Sequence, residues 1–167
     1  MEVKRMTTVV LTTEVLEQLS AHVEAAYPEE GAGFLFGDLD GEQRIVRAIL
    51  SLPNAREAEA RHNRFLITPQ DYVQAEQRAV QAGLEVLGVF HSHPDSPNIP
   101  SEFDRQWALP YFIYFITTVE QGKSKNHRVW ILHPDRSGFD EITLQVVPSS
   151  PSPLRSTPLG QTASSIE

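Results

Sequence analysis

The stretch His91-Ser92-His93-Pro94-Asp95-Ser96-Pro97-Asn98-Ile99-Pro100-Ser101-Glu102-Phe103-Asp104 holds the residues best suited to chemistry. His91 and His93 stand two apart at the end of an apolar segment that reads as a strand. Side chains alternate there, so both imidazoles project from one face and can converge on one ion. Asp104 follows at a predicted helix start and offers a third donor. Two imidazoles and a carboxylate suit Zn²⁺, pairing borderline-soft nitrogens with an anionic oxygen that offsets part of the charge. Three protein ligands leave a fourth position for water, which marks a catalytic rather than a structural site.

Each half of this segment also has an ordinary reading. His-x-His is commonly two polar residues at a strand end, and Ser101-x-x-Asp104 reads equally well as a helix capping box. Together, in a chain with 6 histidines, the pattern His-x-His-x7-Ser-x2-Asp arises by chance on the order of once per thousand such chains. Asp95 and Glu102 flank the donors and could compete for a metal. His22, on a helix, and His62, in a loop, read as structural or solvated. His127 and His133 border a strand and have no spaced partner. Trp107, Tyr111 and Phe112 are expected to fill the core beneath the site, with a substrate groove as the alternative role for Trp107.

The spaced pattern resembles the signature of the JAMM (MPN+ or JAB) metalloprotease family. So does the upstream segment Pro28-Glu29-Glu30-Gly31-Ala32-Gly33, which precedes an apolar strand. Alignment on Pro28 and Gly33 makes Glu30 the match to the family's catalytic glutamate; Ala32 stands where many relatives carry cysteine. The resemblance implies one Zn²⁺ per chain, held by His91, His93 and Asp104. It implies Glu30 as the base that deprotonates a zinc-activated water and later protonates the leaving amine. It also implies the Ser101 hydroxyl as a donor to the oxyanion. The substrate class implied is the amide bond after the C-terminal Gly-Gly of a ubiquitin-like or sulfur-carrier protein, as for small prokaryotic members. Homodimers occur in the family. The alternatives are a non-catalytic MPN scaffold and a phage-tail or cell-wall type of JAMM peptidase. Cytidine deaminases, which share a related sheet-and-helix layout, need cysteine ligands that this chain lacks.

The elements that must position these residues follow from periodicity and punctuation. Val15, Leu16, Leu19 and Val23 fall at helical spacing over Thr12–Ala26, with Thr12 or Thr13 as N-cap and Tyr27-Pro28 as the stop. Gly33–Gly37 and Arg44–Leu52 read as strands joined by a turn at Asp38–Gly41, followed by a polar loop over Pro53–Asn63. Thr68-Pro69-Gln70-Asp71 starts a second helix that should run to Ala82, with Gly83 as its stop. Strands are expected at Glu85–His93, Phe112–Val119, Arg128–Leu132 and Ile142–Val147. This alternation predicts an α/β (α+β) fold: a single MPN/JAB-like domain whose mixed β-sheet is flanked by helices, in a cytidine-deaminase-like layout.

Composition sets the outer bounds. The 167 residues fit one domain. That domain is expected over residues 1–147, with a Pro/Ser-rich tail over 148–167 that buries too little to fold by itself. The absence of cysteine removes disulfides, thiol nucleophiles and thiolate metal sites. A net charge of −8 opposes binding to nucleic acid. The apolar runs are too short for a membrane span or a secretory leader, so the expected location is the cytoplasm.

Overall fold

Thr8-Val9-Val10-Leu11-Thr12, with Val9 and Leu11 buried, forms strand β1 (Thr8–Thr12) in the computed structural model, which describes residues 6–53 and 67–149. The sequence reading contains no strand here. β1 pairs only with sequence-distant β3 and β7, so no local turn signal announces it. Helix α1 (Thr13–Ala26) follows directly, and Thr12 is its N-cap, accepting from the Val15 amide at 3.2 Å. The Glu14 amide donates to Ser149 Oγ at 3.1 Å, so residues just past the last strand return to this helix start.

β2 (Ala32–Asp40) and β3 (Gln43–Ser51) form a hairpin, longer than expected, that turns at Gly41 with its φ of +62°. Helix α2 (Pro69–Ala82) begins with the anticipated capping box between Thr68 and Asp71 and ends at left-handed Gly83. β4 (Glu85–Pro94) leads through a loop to the six-residue α3 (Glu102–Trp107). β5 (Ile113–Glu120), β6 (Lys123–Leu132) and β7 (Phe139–Val147) complete the chain as described. β6 starts earlier than the apolar pattern suggests, because its first half is polar and partly exposed. The part of the expected loop beyond Pro53, with His62, and the tail beyond Ser149 lie outside the described residues.

The strands are ordered β1-β3-β2-β4-β5-β6-β7, and the parallel β7–β1 pair closes them into a barrel. The mixed α+β character is as expected; closure is the added feature, and it removes the free sheet edges that invite mispairing. α1 places Leu19 and Val23 in a core with Leu35, Leu87, Phe90 and Phe115. α2 sets Ala75 and Ala79 against Phe34, Phe36 and Val89 on the other face of the sheet. Covered on both faces, β2 is buried almost continuously instead of alternating.

β4 is central, antiparallel to β2 and parallel to β5. A Cβ on Gly88 would meet the Ile113 carbonyl oxygen at 2.1 Å, so glycine is required for this close approach. A parallel pair needs a crossover rather than a hairpin. The crossover here carries residues 95–112, with α3, past the carboxyl end of β4, where α/β sheets place their ligands. Among the described residues no helix is long and apolar enough to cross a membrane.

His127 on β6 is half-buried beside Phe115 with Nδ1 at 2.7 Å from Thr117 Oγ1, and this burial lowers its pKa below the ordinary 6.5. The unfolded chain therefore takes up this proton at higher pH than the folded chain. It binds more protons as pH falls below about 6.5, and folding stability is lost in that direction. Urea unfolding of wild type and His127→Gln at pH 7.5 and 5.5 should show the wild-type advantage shrinking at the lower pH.

Candidate metal centre

Along β4, Val86 and Val89 pack into the α2-side core, while Leu87 and Phe90 face α1. His91 and His93 continue the phase of Val89, and Ser92 continues that of Phe90. Both imidazoles are only 9% exposed, and their rings lie 5.1 Å apart. The crossover brings Asp104 to them: Oδ1 lies 3.3 Å from His91 Nε2 and Oδ2 lies 3.4 Å from His93 Nε2. One ligand atom from each of the three residues falls within 4.8 Å of the others, so this group could hold a metal ion.

The donors suit such an ion. A tetrahedral site with ligand distances of about 2.0–2.1 Å has edges of about 3.3–3.4 Å. The two separations run to different carboxylate oxygens; each is close to that edge length, and both exceed the about 2.7–2.9 Å of a charge-assisted hydrogen bond. His93 Nδ1 lies 2.7 Å from the Pro97 carbonyl, which fixes Nδ1 as the donor and leaves the Nε2 lone pair facing Asp104. Burial lowers the pKa of His91 and favours its neutral, ligand-competent form. For His93, burial works the same way but is outweighed by Asp104 and the Pro97 carbonyl, and the net direction is upward. Burial opposes ionisation of Asp104 too, yet the two imidazoles and the Ser101 amide hold it well below the usual carboxylate range.

Ser101 and Asp104 form the capping box of α3. Asp104 N–H donates to Ser101 Oγ at 3.0 Å, and Ser101 N–H donates to Asp104 Oδ2 at 2.7 Å. The capping-box reading of this pair is met, and the same carboxylate that caps the helix also faces both histidines. The cap leaves the Ser101 hydroxyl proton available. A groove of about 200 Å³ adjoins Ser101 and is lined by Ile99, Arg105, Trp130 and Phe139.

Glu30 lies just before β2, beyond its regular pairing with β4. Ala32 pairs with His91 as the last regular pair, and Ser92 N–H donates to the Gly31 carbonyl at 3.0 Å, which brings the chain at Glu30 alongside the end of β4. Its charge acts on His93 accordingly. Gly31 is held from two sides. Its amide donates to the fully buried Ser92 Oγ at 2.9 Å, and a Cβ on it would meet Val23 Cα at 3.1 Å. The loop after His93 is tied to the same region, because Tyr27 O–H donates to Asp95 Oδ2 at 2.6 Å.

The remaining residues singled out in the sequence fall as follows. Asp95 does not compete for the centre: its carboxylate accepts from Tyr27 and from the Gln121 amide, and a left-handed φ of +52° turns it that way. Glu102 pairs with Arg105. Trp107 and Tyr111 do not fill the core; they are 60% and 73% exposed, because α3 is too short and too peripheral to bury a face of its own. Phe112 does pack against the α2-side core. His22 is structural, with Nε2 at 3.1 Å from the Ala32 carbonyl. His133 has a partner after all, Asp140 at 2.8 Å across the β6–β7 turn. The ties made by Tyr27, Ser92 and Arg136 were missed, since each joins elements far apart in sequence and has no local signal.

A family model described as prokaryotic homologs of the JAB domain matches residues 12–132. A probable TtuB-protein conjugate cleaving protease of Thermus thermophilus is 31% identical over 103 residues, which cover 60% of this chain and 65% of that one. The match thus spans just under two-thirds of that relative. A desampylase of Pyrococcus furiosus is 29% identical over 117 residues, covering 70% of this chain and 76% of that one. The solution structure of a Desulfitobacterium hafniense protein superposes with a TM-score of 0.73 at 30% identity, covering 84% of this chain and 93% of that chain. With the family model matched from the cap of α1 to the end of β6, and the metal-ligand pattern within it, this chain belongs to the prokaryotic JAB (JAMM/MPN) domain family.

Proposed function

We propose that this protein is a zinc-dependent isopeptidase or peptidase. Its substrate in this reading is the amide bond after the C-terminal Gly-Gly of a ubiquitin-like or sulfur-carrier protein, and its location is the cytoplasm. The observation that carries the reading is the convergence of His91, His93 and Asp104 in a chain of this family. The names of the Thermus and Pyrococcus relatives support the substrate class. Zinc is favoured by the two-imidazole, one-carboxylate donor set.

When bound, the metal supplies Lewis-acid polarisation of the scissile carbonyl and lowers the pKa of water. His91, His93 and Asp104 would hold it, with the His93 tautomer set by the Pro97 carbonyl. Glu30 accepts the proton of the attacking water and delivers it to the departing amine nitrogen. Ser101, whose Oγ accepts from the Asp104 amide, donates its own proton to the oxygen that becomes negative. In this reading an extended substrate chain lies in the groove beside Ser101.

Elemental analysis should find one zinc per chain, lost in Asp104→Ala. The zinc-loaded protein should cleave a TtuB–protein conjugate and stop when a chelator removes the metal. Glu30→Gln should keep the zinc and lose about 10²–10⁴-fold in turnover. Ser101→Ala should lose about 10²–10³-fold in kcat, together with about 1 kcal/mol of stability from the missing cap. A conjugate bound but never cut by the zinc-loaded wild type would leave a scaffold as the better account.

A further inference from the structure

Helix α3 carries Ser101 at its cap and Asp104 in its first turn, yet it has six residues and buries none of them. Helices this short are far below the length that sustains itself in water. Its amino end is held by the capping box. Its carboxyl end, where the last carbonyls lack helical partners, is met by one side chain from the β6–β7 turn. The Arg136 guanidinium donates through Nη2 to the Arg105 carbonyl at 3.0 Å and the Gln106 carbonyl at 3.2 Å. Through Nη1 it donates to the Ala108 carbonyl at 3.0 Å. Arg105 returns the contact, its Nη1 donating to the Arg136 carbonyl at 2.9 Å.

The turn is built to present that side chain. Arg136 has a left-handed φ of +63°, a conformation uncommon for arginine. A network within the turn braces it. His133 bridges Asp140 at 2.8 Å and Ser137 at 3.2 Å, and both the amide and the hydroxyl of Ser137 donate to Asp135. A planar fork with several fixed donors can satisfy three carbonyls that a lysine ammonium would meet with fewer bonds.

We propose that Arg136 is a positioning residue for the metal centre: by tying down the carboxyl end of α3 it fixes Asp104 against His91 and His93, and Ser101 beside them. The inference rests on the proposed function in taking Asp104 as a metal ligand. Groups one step behind a ligand commonly change metal affinity by about 10–100-fold when removed.

The test uses the full chain, stripped of metal and titrated with Zn²⁺ against a chromophoric chelator, in wild type, Arg136→Ala, Arg136→Lys and the control Arg128→Ala. Arg128 lies on β6, where its side chain pairs with Glu141 and not with α3. Arg136→Ala should bind zinc about 10–100-fold more weakly, Arg136→Lys should recover only part of that loss, and Arg128→Ala should match wild type. Amide exchange of Asp104 and Arg105, measured without metal, should quicken in Arg136→Ala and not in the control. Should Arg136→Ala fail to fold, Arg136→Gln, which keeps an amide donor at the exposed turn, takes its place. Unchanged zinc affinity, or unchanged exchange in α3, would overturn the inference. A wild type that takes up no zinc would instead sink the peptidase reading, and the exchange measurement alone would then decide the role of Arg136.

Discussion

Burying two imidazoles at the end of a strand is costly unless their ring nitrogens find partners, and in this barrel Asp104 is the shared one. Its two oxygens face His91 and His93 separately, while its Oδ2 also accepts the Ser101 amide. The rest of the architecture can be read from that convergence. β4 must be central, so that its end is walled by neighbours on both sides. β5 must be parallel to it, so that the connection passes over the strand end instead of folding back as a hairpin. The connection must also be pinned, because a free loop would not hold a carboxylate to a few tenths of an ångström.

The pins are numerous and come from several directions. Pro97 is held by His93, Ser96 by Thr118, and Asn98 by both Asn126 and the Trp130 indole. Arg136 closes the far end of α3. None of these bonds is strong alone, since a typical net contribution is about 0.5–1.5 kcal/mol. Their effect is geometric: they convert an exposed crossover with a short helix into a fixed arm.

Glu30 depends on a different device. It lies two residues before the last regular pair of β2 and β4, Ala32–His91, where a chain would ordinarily fray. Ser92 counters this by bonding the Gly31 backbone through both its amide and its hydroxyl, while a Cβ at Gly31 would press on α1 at 3.1 Å. The same strand thus presents His91 and His93 on one face and, through Ser92, uses the other face to hold Gly31, the neighbour of Glu30. Alternation along β4 separates the two tasks.

Much of this was legible in the sequence. The strand-end His-x-His, the serine and aspartate three apart, both long helices with their caps, and the alternating α+β order are local signals, set by spacing and by backbone preferences within a few residues. Family membership rested on the same spacing. Pairings between distant segments were not legible. β1, the closure of the barrel, the redirection of Asp95 toward Tyr27, the exposure of Trp107 and the grip of Arg136 on α3 each join residues with no local relation. By itself the sequence determined which groups could meet a metal and which elements would carry them, because those facts follow from side-chain type and chain periodicity. Only the tertiary structure decided which distant groups hold them in place, because sheet register and crossover packing are settled by the whole folded chain.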